Sequence, residues 1–251
     1  MKRIFLSLSL ATVTMLTGQA QAPNTLTKAE KKLGYVLLFD GQTLNGWHTY
    51  NGTGTGDAWK VQDGTLMLDG AAKKSGAKGG DLTTDEDYED FDFQYDWKIS
   101  PNGNSGVMFH VVESKAYPVP YLTGPEMQVL DDKGHPDGKI FKHRSGDLYD
   151  LIPSPKRYAK PVGQWNKARI TMQRGFVTMY LNGKKTATTE MYSLKWADMV
   201  AASKFKTMPD FGKYPSGRLD LQDHGDTVWF RNLKVRRLST KPARDRIALN
   251  Q

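Results

Sequence analysis

The 251-residue sequence predicts an all-β fold, two antiparallel sheets packed face to face. Three observations lead there. Short apolar runs recur along the chain, separated by turns rich in Gly, Asn and Asp. The run from Asp90 to Ile99 alternates with a period of two: Phe91, Phe93, Tyr95 and Trp97 take one face, and Asp92, Gln94, Asp96 and Lys98 the other. Between the strands, only Ser193 to Phe205 suggests a helix.

In chain order, residues 23–32 suit a short polar helix or arm. Tyr35-Val36-Leu37-Leu38-Phe39 is an apolar run closed by Asp40-Gly41. Residues 59–62 and 65–68 flank Asp63-Gly64, a two-residue hairpin turn. Residues 105–112 and 126–130 form further strands. Residues 167–172 and 176–181 make a hairpin about Gln173-Arg174-Gly175, and Asn182-Gly183 turns the chain into 184–188. Residues 218–223 and 228–237 close the domain. Two stretches have no strand period: 70–80, rich in Gly, Lys and Ala, and 131–160. Loops of that length in a compact domain are frequently functional.

The ends carry their own signals. Lys2 and Arg3, the apolar stretch from Ile4 to Leu16, and Ala20-Gln21-Ala22 have the order of a cleavable export signal. The chain has no Cys, which rules out disulfides, thiolate chemistry and a lipid-anchoring cysteine. The expected organisation is a signal peptide over 1–22, an arm over 23–33, one β-sandwich domain over 34–238 and a basic tail over 239–251. The expected product is a periplasmic or secreted protein without a membrane span. The formal charge of +8 is scattered among acids, so nucleic acid is not an expected partner.

Strand alternation also assigns polar residues to faces. Met127 and Val129 suit the core, which turns Glu126 and Gln128 the other way. Leu219 and Leu221 do likewise, which turns out Arg218, Asp220, Gln222 and His224. His110 falls on the side of Gly106 and Met108. If these strands are neighbours in one curved sheet, its hollow face gathers Asp96, Lys98, His110, Glu126, Gln128, Gln222 and His224. Such a mixture suits a small glycan, whose hydroxyls need donors and acceptors together. An ordinary solvated face is the competing reading. His135 and His143 lie in the long loop without metal-ligand spacing and read as solvated.

Several short segments, in order, carry a resemblance. They are Leu38-Phe39-Asp40-Gly41 with Leu44-Asn45-Gly46-Trp47, Asn104-Ser105-Gly106, and Gly124 through Asp131. Gly163-Gln164-Trp165-Asn166, Leu181-Asn182-Gly183, and Leu221 through Gly225 with Val228 through Asn232 complete the set. Together they resemble the 3-keto-disaccharide hydrolase family, which includes 3-keto-glucoside 1,2-lyases and 3-keto-2-hydroxy-glucal hydratases. The resemblance implies a concanavalin A-like jelly roll of the lectin and glucanase type with a sugar site on the hollow sheet. Relatives carry a Trp just before the segment matching Leu181-Asn182-Gly183. Tyr180 stands there in this chain, so a sugar platform at that point would differ.

The resemblance also implies a chemistry. A ketone at C3 acidifies the C2 hydrogen, so a base, an acid and a positive group on the C3 oxygen suffice for elimination across C1–C2. His224 or His110 is the expected base and Glu126 the expected acid or hydroxyl ligand. Gln128, Gln222, Asp96, Asp131 and Tyr180 are expected to contact the sugar. Lys98, Arg231 or a bound divalent metal would hold the enolate oxygen. No cofactor is required of this chain, because a separate oxidoreductase would make the 3-keto-glycoside. A non-catalytic carbohydrate-binding module and an endo-glucanase are the alternatives. The face's ionisable groups favour an enzyme, and Gln rather than a carboxylate at 128 disfavours the glucanase.

Overall fold

The computed structural model describes residues 21–239. The expected signal peptide, apart from its last two residues, and the tail beyond Ser239 lie outside the described residues. Thirteen strands run through the described residues: β1 (Val36–Leu37), β2 (Trp47–Thr49), β3 (Trp59–Gln62), β4 (Thr65–Leu68), β5 (Leu82–Thr84), β6 (Phe91–Ile99) and β7 (Asn104–Val111) come first. They are followed by β8 (Glu126–Leu130), β9 (Asn166–Gln173), β10 (Phe176–Leu181), β11 (Lys184–Glu190), β12 (Arg218–Leu221) and β13 (Val228–Arg237). Short helices α1 (Lys28–Lys32), α2 (Gly70–Lys74) and α3 (Leu194–Ala201) punctuate them, with 3-10 turns at Pro120–Leu122, Pro136–Lys139 and Lys204–Thr207.

The strands form two antiparallel sheets. The larger has the order β11-β10-β9-β6-β13-β4-β3, with β1 also on β13; the smaller has the order β2-β5-β12-β7-β8. These are the two packed antiparallel sheets that the strand pattern predicts, in the jelly-roll form that the resemblance implies. Its core is where the apolar faces meet. Phe91, Phe93, Tyr95 and Trp97 of β6 and Phe230 and Val235 of β13 face Val107 and Phe109 of β7, Met127 and Val129 of β8, and Leu219 and Leu221 of β12. Full burial of each such side chain is worth about 1.5–3 kcal/mol, which pins the register: a one-residue slip would turn every core residue to solvent.

Turn chemistry fixes the hairpins. Asp63–Gly64, Arg174–Gly175 and Asn182–Gly183 all have positive φ at both residues. That is the type I′ turn, whose twist matches that of its flanking strands. The arm is tied down by a reciprocal pair: Asn24 N donates to Asn232 Oδ1 at 2.7 Å, and Asn232 N donates to Asn24 Oδ1 at 2.8 Å. α1 carries a capping box between Thr27 and Glu30. The 70–80 stretch opens as α2, capped by Asp69, and Lys73 Nζ reaches Asp223 Oδ2 at 2.9 Å. Among the described residues no helix is long and apolar enough to cross a membrane.

Candidate active site

The outer face of the smaller sheet carries the site. Strand pairing aligns its side chains in rows. One row runs His48, Thr83, Asp220, Met108, Glu126, and the next brings Gln128 opposite Gly106, whose carbonyl accepts Gln222 N at 2.9 Å. Gly106 therefore lies between two glutamines on flanking strands roughly 10 Å apart. Its missing side chain leaves the space that the Glu126 carboxyl takes up.

A pocket of about 430 Å³ opens on this face. Glu126, Gln128, Gln222 and His224 all line it, together with Asn104. These four sequence-predicted residues are brought together, Glu126 and Gln128 by the alternation of β8 and Gln222 and His224 by the segment that follows β12. The long loop and the segment after α3 build the opposite wall from Tyr121, Tyr149, Lys204, Phe205 and Met208.

Local structure explains each placement. β8 is an edge strand, and the long loop folds back onto it. Gln128 N donates to Asp147 O, Gly146 N to Gln128 O, and Tyr149 N to Glu126 O, at 2.9–3.1 Å. This saves the edge from solvent and sets Tyr149 beside Glu126. Phe205 stacks on Phe211 with centroids 3.8 Å apart, and Phe211 lies parallel to Trp196 of α3. That buried stack anchors the 3-10 turn from which Lys204 enters the pocket. Asp150 Oδ2 accepts Lys204 N at 2.7 Å.

The electrostatics are those of a site withdrawn from water. Burial pushes the Glu126 carboxyl up to about 8, aided by Asp81 and Asp137 and opposed by Lys204. None of these influences is a hydrogen bond to the carboxyl, and burial favours its uncharged form at neutral pH. The Lys204 ammonium sits 4.0 Å above the Tyr149 ring, and desolvation lowers its pKa against the pull of Glu126, Asp150 and Asp137. Asn104 Oδ1 is buried without a partner at the pocket wall, an acceptor ready for a ligand hydroxyl. Two more carboxyls lie along the same face. Asp220 is fully buried, accepts from Thr83 Oγ1 at 2.9 Å and is pushed well above the usual range; burial also pushes Asp81 up to about 7.

His110 does not join the pocket. Its φ is +53°, and the β12–β7 register shifts between Arg218 and Asp220. This β-bulge breaks the alternation that would have carried His110 to the polar face. The ring packs edge-on against the core residues Phe91 and Phe109, with centroids 5.9 and 5.8 Å away. Its Nε2 donates to Glu89 O at 2.9 Å, and burial lowers its pKa, so the ring is a neutral core residue.

Asp96, Lys98, Tyr180 and Arg231 belong to the larger sheet and lie away from the pocket. β6 pairs with β13 and β9, not with β7. Asp96 Oδ2 accepts from Asn232 Nδ2 at 2.8 Å and faces Arg231 Nε at 3.4 Å. Lys98 Nζ lies 4.4 Å from the centre of Trp229, Arg231 stacks on Trp165 at 4.1 Å, and Arg169 covers Tyr180 at 5.5 Å. Asp131 stands beyond the end of β8 and lines a separate depression with Arg157 and Lys160. Burial raises its pKa, but the backbone N–H groups of Asn102, Gly134 and Lys133 outweigh that and hold the carboxyl below its usual range. Among the described residues no three His, Asp or Glu side chains gather as a metal-holding group.

Lys204, Tyr149, Tyr121, Phe205 and Met208 were not legible as site residues, because none lies on a strand whose alternation could assign it to the polar face. Asn104 was legible only as part of Asn104-Ser105-Gly106. His135, read as a solvated loop residue, has its ring 6.3 Å from that of His224. Other shared segments prove structural: Trp47 Nε1 donates to Leu38 O at 2.6 Å, and Asn182 Nδ2 bonds Tyr158 O and Asn166 Oδ1, both at 2.8 Å.

Residues 34–236 match the family described as the 3-keto-alpha-glucoside-1,2-lyase-like domain. The chain is 35% identical over 227 residues to the 3-keto-disaccharide hydrolase of Bacteroides thetaiotaomicron, covering 81% of this chain and 78% of that one. It is 33% identical to a crystal structure described as a glycosyl hydrolase from Parabacteroides distasonis, with a TM-score of 0.79 over 87% of this chain and 100% of that one. A second Parabacteroides distasonis structure shares the fold at 24% identity, with a TM-score of 0.61 over 81% of this chain and 99% of that one.

Proposed function

The chain belongs to the 3-keto-alpha-glucoside-1,2-lyase-like domain family, and on that premise we propose that it cleaves 3-keto-glycosides by elimination across C1–C2 followed by hydration. The observation that carries the proposal is the company in one pocket: an uncharged buried carboxyl, an imidazole and an ammonium, on Glu126, His224 and Lys204.

Each group has a step. The C3 ketone makes the C2 hydrogen acidic, because the carbanion is an enolate. His224, at the open side of the pocket, takes that proton. Lys204, held over Tyr149, places positive charge where the C3 oxygen becomes negative. Glu126 gives its proton to the glycosidic oxygen as the C1–O bond breaks and the aglycone departs. Water then adds to the C1 carbon of the enone. The Glu126 carboxylate takes a proton from that water, and the His224 imidazolium returns one to C2. Both residues end as they began, and the sum is hydrolysis to a free 3-keto sugar. Gln128, Gln222 and Asn104 hold the remaining hydroxyls, Asn104 through its unpartnered Oδ1.

The reading needs no redox step in this chain. The 3-keto group is the product of a separate oxidoreductase, which is the expected functional partner. The reading places Asp96, Lys98, Arg231, Tyr180 and Asp131 outside catalysis. The test is a paired assay of purified protein on a 3-keto-glucoside and on its unoxidised parent. Turnover of the 3-keto compound alone supports the proposal; turnover of the parent alone overturns it in favour of an ordinary glycosidase.

A further inference from the structure

Lys204 carries a charge that the proposed chemistry depends on, and what holds it there is not in the pocket. Behind the pocket wall lies His143, with only 13% of its side chain exposed. Its Nε2 donates to Asp150 Oδ1 at 3.2 Å. The other oxygen of the same carboxylate accepts the Lys204 backbone N–H. The imidazole ring also packs against Tyr149, centroids 4.3 Å apart, and it is this ring that lies under the Lys204 ammonium. Asp137 closes the group: its Oδ2 accepts from Tyr149 Oη at 3.4 Å and stands 3.6 Å from His143 Nδ1. A solvated loop histidine would make none of these contacts.

We infer that His143 is a positioning residue for the proposed reaction: wedged between Asp150 and the Tyr149 ring, it fixes both supports of the Lys204 ammonium. The inference rests on the proposed role of Lys204. His143 does not line the pocket. Its two contacts act on different parts of Lys204. The Asp150 contact sets where the backbone of the 3-10 turn begins, and the Tyr149 contact sets the surface on which the ammonium rests. Losing either lets the charge drift from the C3 oxygen, and a displacement of about 1 Å in a catalytic group can cost 10²-fold in rate.

The test compares His143→Ala, His143→Gln and His143→Phe. Gln can return a donor to Asp150, and Phe keeps a ring against Tyr149 without the donor. The first readout is kinetic. His143→Ala is expected to lower kcat about tenfold with KM within twofold of wild type, and His143→Gln to recover most of the loss. The second readout needs no turnover. Lysines are converted to 13C-dimethyl-lysine and the Lys204 resonance is titrated; in wild type it is expected to titrate below the exposed lysines, and in His143→Ala to move toward them. Should His143→Ala fail to fold, His143→Phe takes its place in both readouts. A folded variant with unchanged kcat and an unchanged Lys204 titration overturns the inference, as does a His143→Gln no better than His143→Ala. If wild-type protein does not act on 3-keto-glycosides, the proposed function falls, while the Lys204 titration still decides whether His143 positions that lysine.

Discussion

Gly106 lies directly beneath the Glu126 carboxyl: a Cβ at position 106 would come within 1.9 Å of Glu126 Oε1. The φ of Gly106 is not positive, so this glycine is required by space and not by backbone conformation. β7 gives up a side chain at its centre, and the acid from the neighbouring strand folds into the vacated volume.

Gly106→Ala is therefore expected to expel the Glu126 carboxyl from its seat and lower kcat/KM by at least tenfold, with an overpacking cost of about 1–3 kcal/mol in stability. Chemical denaturation of the single variant and of Gly106→Ala/Glu126→Ala checks the cause. With the carboxyl gone, the extra methyl should cost nothing further, and the two changes should be strongly non-additive.

Glu126→Gln removes the proton donor and keeps the shape. Turnover is expected to fall about 10²–10³-fold. In wild type, activity should decline as pH rises through about 8, the pH at which burial lets Glu126 ionise. Stability follows the same sign. The native state retains a proton that the unfolded chain releases near 4.5, so wild type loses stability between there and about 8, by at most about 1.4 kcal/mol per pH unit. Glu126→Gln should flatten that slope. Thermal denaturation of both proteins from pH 5 to 9 measures it; identical slopes would show that Glu126 is not a buried acid.

Lys204→Met keeps the stem over Tyr149 and removes the charge. A loss of about 10²–10³ in kcat is expected, the size seen when a group stabilising a developing oxyanion is removed. The elimination step measured in a single turnover should carry the loss.

How much of this was legible in the sequence follows from the range of each signal. Three Asx-Gly or Arg-Gly pairs named their hairpins, because a turn is decided by its own two residues. The alternation of β6, β8 and β12 named the core faces for the same local reason, and so turned Glu126 and Gln128 to the face whose pocket Gln222 and His224 also line. Alternation says which residues share a face, but not which sheet a strand joins. Asp96 and Lys98 were thus grouped with a site that lies across the core from them. His110 was misplaced by a bulge, whose one extra residue inverts every facing assignment after it. Tyr149 reaches the site from the long aperiodic loop and Lys204 from the end of the expected helix, so only tertiary packing could reveal them.

The two sheets should also separate by mutation. Asp92, fully buried on the larger sheet, accepts from Arg169 at 2.7 and 2.8 Å and from Arg236 at 3.1 Å. Asp92→Ala leaves two arginines without their carboxylate and should destabilise the fold by about 3 kcal/mol. Lys98→Ala, which loosens only surface stacking, and Arg231→Ala, which also removes the ion pair with Asp96, should both leave kcat/KM within twofold. Steady-state kinetics below the melting transition distinguishes the two effects.

The central claim is that bond cleavage passes through loss of the C2 hydrogen, and its most direct measurement is NMR of the sugar product formed from a 3-keto-glucoside in deuterated water. His224 is exposed, so its imidazolium exchanges the abstracted proton with solvent before returning one, and the account predicts deuterium at C2 on one face of the ring, absent from substrate incubated without protein and lost with turnover in His224→Ala. Product that retains its original C2 hydrogen would mean direct displacement at C1 and would contradict it.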